Sequence, residues 1–473
     1  MATRLPRTSP RSVNVDATGI AAFLDALAGT ELHSVMVLRH GRVLAEGWWR
    51  PYVADEIQLG YSLTKSFTSV ALSYALAEGL VRLDDRVSDV LDAPAGIDPG
   101  YERLTVRDLA RMTTGHTVDP LDEGSAWPPL QAEPGGVWIY NNWASLTLGD
   151  IVAKVSGRSL TGYLESRLFE PLDIEDWAWD GVGGREAGFS GLHLATESWA
   201  KFGHLLLRGG ELWDRQVIDA GFLAEATRKQ SDNSVEPDGR PRESGPDWRR
   251  GYGYQFWVSR HGFRGDGAYG QFVVVLPEQD AVLVVTSATD DMQAILTAAW
   301  DHVLPAFGAD PRGAEASGEV SEADAELAAR LAGLSLVPVS SRAPDDCGSF
   351  SAASGYQALA SVREILVGQD DEGYDLTLFL ASGGSAQLAA GDGRWVTGSL
   401  PVEGADPMPV GVSAGWTSDD TFEVELRHLQ TPHGVWVVCD KASGTFTSSW
   451  LTIPLGKTEF TQLALREGVR HHP

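Results

Sequence analysis

The chain reads as an α+β protein: an antiparallel sheet flanked by helices and interrupted by a helical insertion, then a smaller all-β barrel-like or sandwich domain. Three features of the sequence predict this. β-rich runs occur near residues 33–49 and again at 252–287, with helical patterns between them. Beyond residue 345 the pattern changes to short β-like runs at regular spacing, as an antiparallel barrel or sandwich requires. Between these regions, residues 308–322 are rich in Gly, Ala, Pro and acidic side chains and show no apolar periodicity. A chain of 473 residues exceeds the size at which one core keeps growing. The predicted division is 1–307, a linker with a short helix at 308–344, and a β-rich domain at 345–473.

Residues 15–27 have the spacing of an amphipathic helix. The runs 33–39 and 42–49 follow as strands joined by His40-Gly41, a hairpin signal. Residues 62–80 are rich in Ala, Leu and small side chains, carry few charges and end at Gly79, which predicts a buried helix. Helical patterns recur at 105–112, 142–155, 160–168 and 196–207. Strands are then expected at 252–259, 271–276 and 281–287, the last two separated by Pro277-Glu278-Gln279-Asp280, and helix returns at 291–303. After a short helix at 325–334, strands are expected at 374–380, 394–400, 421–429, 434–439, 445–451 and 460–465.

A formal net charge of −28 opposes binding to nucleic acid or to an anionic membrane surface. No apolar run reaches the roughly eighteen residues of a membrane span. Arg4, Arg7 and Arg11 are not followed by an apolar stretch of signal-peptide length, so a cytoplasmic location is expected. Cys347 and Cys439 are then expected as two thiols rather than a disulfide. No His, Cys and carboxylate cluster has metal-ligand spacing, and neither metal nor organic cofactor is expected. The sequence leaves the oligomeric state open.

Ser62-Leu63-Thr64-Lys65 places a hydroxyl and an amine one helical turn apart at the start of the apolar helix. A serine hydroxyl becomes a nucleophile when a neighbouring base accepts its proton, and a desolvated lysine can be that base. The helix N-terminus beside them favours developing negative charge. Downstream lie Arg111-Met112-Thr113-Thr114-Gly115-His116, Glu133-Pro134-Gly135, Tyr140-Asn141-Asn142 and Gly267-Ala268-Tyr269-Gly270-Gln271.

In this order, over about residues 30–305, these motifs resemble the serine β-lactamase-related hydrolases, with phrasing most similar to the 6-aminohexanoate-dimer hydrolase and esterase branch. The resemblance implies a β-lactamase/transpeptidase-like fold for the first domain and acyl transfer through a covalent acyl-enzyme on a small amide or ester. By the same resemblance, Ser62 is the nucleophile, Lys65 takes its proton, and Tyr140 relays that proton to the leaving group. A lysine ammonium beside Tyr140 is expected to favour phenolate, so the pair could share one proton. Asn142 matches the asparagine that holds the substrate carbonyl and orients the lysine, with Asn141 as spacer. The oxyanion hole would comprise the backbone N–H groups of Ser62 and Ala268, the latter following Gly267.

Other readings of these residues stay open. Taken alone, Tyr140 and Asn142 fit a packed aromatic and a helix cap. His116 reads as a loop residue, Trp127 as packing, and Trp138 and Trp143 as candidates for lining an acyl pocket. Gly411-Val412-Ser413-Ala414-Gly415 mimics a nucleophile elbow, but the turn and strand expected after it exclude the required helix. Lys457-Thr458-Glu459 lacks the glycine of a Lys-Thr-Gly motif. On the edge strand, Gly265-Asp266-Gly267 stands where the family has Lys-Thr-Gly, and strand alternation points Arg264 away from the face of the two glycines. A catalytically silent binding or regulatory protein and an acyltransferase using the same acyl-enzyme remain as alternatives.

Overall fold

The computed structural model describes residues 3–308, 321–343, 346–370 and 373–471. Most of the predicted linker, residues 309–320, lies outside the described residues.

Strands β1 (Leu32–Arg39), β2 (Arg42–Trp48), β3 (Trp257–Val258), β4 (Phe263–Gly267), β5 (Gln271–Leu276) and β6 (Ala281–Ser287) form one antiparallel sheet in the order β3-β4-β5-β6-β1-β2. The turn between β1 and β2 is His40-Gly41, both with positive φ (52° and 71°), the geometry that matches the twist of a two-residue hairpin. β1 is buried along its whole length because both faces of the sheet are covered. Met36 and Leu38 join Val273, Val275, Val282 and Val284 against helices α2 (Thr64–Ala77), α3 (Asn142–Ser156) and α4 (Thr196–Leu207). Val35 and Val37 point the other way, toward α1 (Ala17–Ala26), α5 (Met292–Ala298) and α6 (Glu322–Ala332). The period-2 alternation of a strand thus feeds two separate cores.

The helical insertion between β2 and β3 carries α2, α3 and α4. α2 is buried from Thr64 through Ala75, so it is the axis of this layer. The helices begin where the chain supplies caps: the Asp16 side chain accepts from Thr18 N, and Asn141 accepts from Ala144 N. Asn141 is therefore a helix cap, more than the spacer expected of it. The expected helix at 160–168 divides into Leu160–Leu164 and a wider turn, Glu165–Phe169; that at 291–303 divides similarly at Ala299–Val303.

The β-rich part is a barrel. Strands β7 (Gly348–Ala352), β8 (Val362–Asp370), β9 (Gly373–Leu380), β10 (Ser385–Gly391), β11 (Val396–Leu400), β12 (Met408–Ser418), β13 (Thr421–His428), β14 (Gly434–Asp440) and β15 (Thr445–Trp450) pair in the order β10-β9-β8-β7-β15-β14-β13-β12-β11. A bridge from Gly391 to Ser413 joins β10 to β12 and closes eight of them, leaving β11 beside β12. Two expected strands need correction. Residues 460–465 hold a 3-10 turn, Phe460–Leu463, because Glu459 caps it and Phe460 and Leu463 both insert into the barrel core. Residues 252–259 pair as a strand only at Trp257–Val258; Tyr252 makes isolated bridges to Ser231 and Trp257. Ser413 lies inside β12, buried, donating to Val339 O and Gly391 O, so the elbow reading is excluded by strand rather than by turn. Both cysteines are free thiols, Cys347 exposed and Cys439 buried. Among the described residues no helix is long and apolar enough to cross a membrane.

Candidate active site

Ser62 lies in a single 3-10 turn, Tyr61–Leu63, that runs directly into α2. One turn later, Lys65 is 1% exposed. Its Nζ lies 2.9 Å from Ser62 Oγ, 2.7 Å from Asn142 Oδ1 and 2.9 Å from the Phe189 carbonyl oxygen. Two of these neighbours are pure acceptors. A neutral amine has two N–H donors and one lone pair, so Asn142 and Phe189 take both donors and leave the lone pair facing the Ser62 hydroxyl. Burial pushes the Lys65 pKa down to about 7, against the opposing pull of the Asp119 and Asp266 carboxylates.

Tyr140 stands beside this pair. Lys65 Nζ sits 4.8 Å above its ring centroid. Burial raises the Tyr140 phenol; its hydrogen bond with Ser62 opposes the rise, and Asp266 and Asp119 add to it. This reverses the expected phenolate. Burial is costly for either charged form, and the ammonium that would have stabilised the phenolate is itself disfavoured here. The ring of Tyr140 is fixed by stacking on Trp257, with centroids 5.5 Å apart and planes at 20°, by an edge contact with Tyr252 and by a tilted contact with Trp138. Trp138 belongs to this supporting cluster, and Trp143 is packed into the main core against Tyr101 and His116. Both indoles are buried. His116, buried in its loop, meets the Thr114 hydroxyl at 2.9 Å.

Asn142 opens α3, and a residue that sequence reasoning missed holds it there. The Asp119 carboxylate accepts from Asn142 N at 2.9 Å and from Trp143 N at 3.2 Å. With Asn141 capping Ala144 N, the first three N–H groups of α3 are satisfied. Asp119 thus anchors the residue that in turn anchors Lys65. No local motif marks it, because it reaches the helix from a loop more than twenty residues upstream. The segment 188–194 braces the opposite side: Thr68 Oγ1 donates to Gly188 O, Gly60 N to Leu192 O, and Leu192 N to Thr64 Oγ1.

Strand β4, which β3 pairs only at Phe263 and Arg264 and which is a free edge from Gly265 to Gly267, closes the site. An added Cβ on Gly265 would lie 2.3 Å from Leu63 Cδ1, and one on Gly267 would lie 2.0 Å from Gly60 O. At Gly267 β4 therefore packs directly on the backbone leading to Ser62, and at Gly265 it packs on the Leu63 side chain. Ala268 follows in the turn to β5. Arg264 and Asp266 share the other face, as alternation predicts. Arg264 Nε donates to Asp266 at 2.9 Å and its Nη1 to Ser259 Oγ and Asp247 O, so the guanidinium is committed inside the protein. Burial raises Asp266 to about 6 despite Arg264.

A buried lysine thus faces a serine one helical turn away, between a helical layer and strand β4 of the antiparallel sheet. The chain belongs to the β-lactamase family, whose sequence profile matches residues 22–306. It is 24% identical to 6-aminohexanoate-dimer hydrolase of Paenarthrobacter ureafaciens over 62% of this chain and 77% of that protein. It is 26% identical to lovastatin esterase of Penicillium rubens, over 28% of this chain and 42% of that one, so the match spans less than half of that esterase. A penicillin-binding protein homologue from Caulobacter crescentus shares the fold, with TM-score 0.51 and 17% identity over 63% of this chain and 100% of that one.

Proposed function

We propose that the protein is a serine hydrolase that cleaves a small, uncharged ester or amide through an acyl-enzyme on Ser62. The observation that carries this reading is the placement of Lys65 Nζ, 2.9 Å from Ser62 Oγ with its other neighbours both acceptors. Neutral Lys65 takes the Ser62 proton as Oγ attacks the carbonyl carbon. The oxyanion is held by the backbone N–H groups of Ser62 and Ala268. Tyr140, protonated, gives a proton to the departing alcohol or amine and recovers one from Lys65. Water then adds to the acyl-enzyme with the same groups acting in reverse.

The names of relatives support this reading, since one is called a lovastatin esterase and another a 6-aminohexanoate-dimer hydrolase. Intact-mass spectrometry after incubation with p-nitrophenyl butyrate or a fluorophosphonate tests it. A single adduct on Ser62, absent in Ser62→Ala, is expected; a full adduct in Ser62→Ala overturns the assignment. A silent binding protein would give no adduct at all. Product analysis with and without an added alcohol separates hydrolysis from acyl transfer.

A further inference from the structure

We propose that His433, carried by the barrel, is a positioning residue that clamps the two tyrosines bracketing the oxyanion donors, so that barrel docking holds the reacting centre in shape. This rests on the hydrolase reading above. Tyr61 directly precedes Ser62 and has φ 47°, while Tyr269 directly follows Ala268 and has φ 63°. Both are bulky residues in the left-handed region, which persists only where the surroundings enforce it.

Here the surroundings come from the far end of the chain. Tyr61 Oη donates to His433 Nε2 at 2.5 Å, and His433 Nδ1 donates to Thr452 O at 2.8 Å. The carbonyl partner fixes the tautomer with the proton on Nδ1, leaving Nε2 as the acceptor. Tyr269 Oη donates to Ile453 O at 2.5 Å, one residue beyond Thr452. The three rings pack edge to face in every pairing, at 5.3 Å for Tyr61–Tyr269, 5.8 Å for Tyr61–His433 and 5.1 Å for Tyr269–His433. Burial raises the Tyr61 phenol and lowers His433 to about 4, so the bond joins two neutral groups across ordinary pH.

Loosening this trio shifts the Ser62 and Ala268 N–H groups relative to each other. Such a shift weakens binding of the oxyanion more than binding of the substrate, so kcat falls while KM stays. Steady-state kinetics of the full chain on p-nitrophenyl butyrate tests the clamp in Tyr61→Phe, Tyr269→Phe, His433→Ala, His433→Gln and the Tyr61→Phe/His433→Ala double variant. The two phenylalanine variants each remove one oxygen and keep the packing, so they stand even where His433→Ala fails to fold. Tyr61→Phe and His433→Ala are expected to lower kcat by about ten- to a hundredfold at nearly constant KM. The double variant should be no slower than the slower single, and His433→Gln, which keeps an acceptor and a donor, should recover part of the loss. Near-native kcat in both phenylalanine variants, or effects that multiply in the double variant, overturns the clamp while wild-type acylation at Ser62 leaves the hydrolase reading standing. Absence of wild-type acylation overturns both.

Discussion

In the proposed mechanism, Lys65 sets the pH dependence of the chemistry. It must be neutral to accept the Ser62 proton, and its pKa is lowered to about 7. Acylation should therefore rise as pH increases through about 7 and level off above it, and a stopped-flow profile of the p-nitrophenol burst reads this limb directly. Asp119 opposes the depression, because its carboxylate favours the ammonium form. Asp119→Asn keeps an acceptor for Asn142 N and removes the charge, so the limb should move to lower pH by up to about one unit. An unmoved limb would mean that the carboxylate acts on α3 alone. Lys65→Ala and Tyr140→Phe are each expected to lower the acylation rate by about two to four orders of magnitude, and near-native rates would remove the role assigned to either. The closeness of Lys65 to Ser62 was legible from helical spacing, whereas that of Asn142, 77 residues beyond Lys65, rested on the resemblance alone. Asp119 was not legible, since its role depends on where a loop ends in space.

At the scale of elements, β4 determines what the site excludes. The resemblance to the β-lactamase-related hydrolases implies a cationic side chain at this strand for binding a substrate carboxylate. Gly265 and Gly267 cannot be replaced by such a residue without collision with Leu63 and Gly60, and Arg264 is held by Asp266, Ser259 and Asp247. A bound carboxylate loses a charge-assisted contact of about 1.5–3 kcal/mol, roughly tenfold or more in affinity. Nitrocefin should thus be turned over at a kcat/KM well below that for p-nitrophenyl acetate and butyrate, and the reverse order would refute the inference. Gly267→Ala should cost about 1–3 kcal/mol of stability, because its clash is with backbone, and calorimetry beside wild type measures it. Barrel strands differed in legibility for a related reason. β14 and β13 carry Val, Phe and Leu and announce themselves, whereas β10 is Ser-Ala-Gln-Leu-Ala-Ala-Gly. It is a strand because Ala386, Leu388 and Ala390 alternate into a closed barrel, which supplies the neighbours its own propensity lacks.

At the scale of the whole molecule, the chain is more interwoven than a linker at 308–344 suggests. α6 follows that linker's start, yet its Leu327 and Leu331 pack into the core beneath β2 with Leu44 and Ala45. Residues beyond it turn to the barrel: Trp395 Nε1 donates to Leu336 O, and Gly393 N to Val339 O. We propose the functional boundary between Leu336 and Val337, the latter 86% exposed. Truncation after Gly308 would strip α6 from the sheet, and each lost leucine contact costs about 1.5–3 kcal/mol, a large share of a domain's usual stability of about 5–15 kcal/mol. That fragment should be insoluble or show a strongly lowered Tm. A fragment ending at Leu336 keeps both cores of the sheet and should fold more stably, at the cost of exposing the surface where Arg427 meets Glu31 and where Arg470–His471 pairs with Trp177–Trp179. Thermal scanning of the two fragments decides the boundary. Equal stability would place it at the linker, and unfolding of both would show that barrel and sheet form one cooperative unit. The longer fragment lacks His433, so if it folds, its Ser62 should still label with a fluorophosphonate, but more slowly than in the full chain.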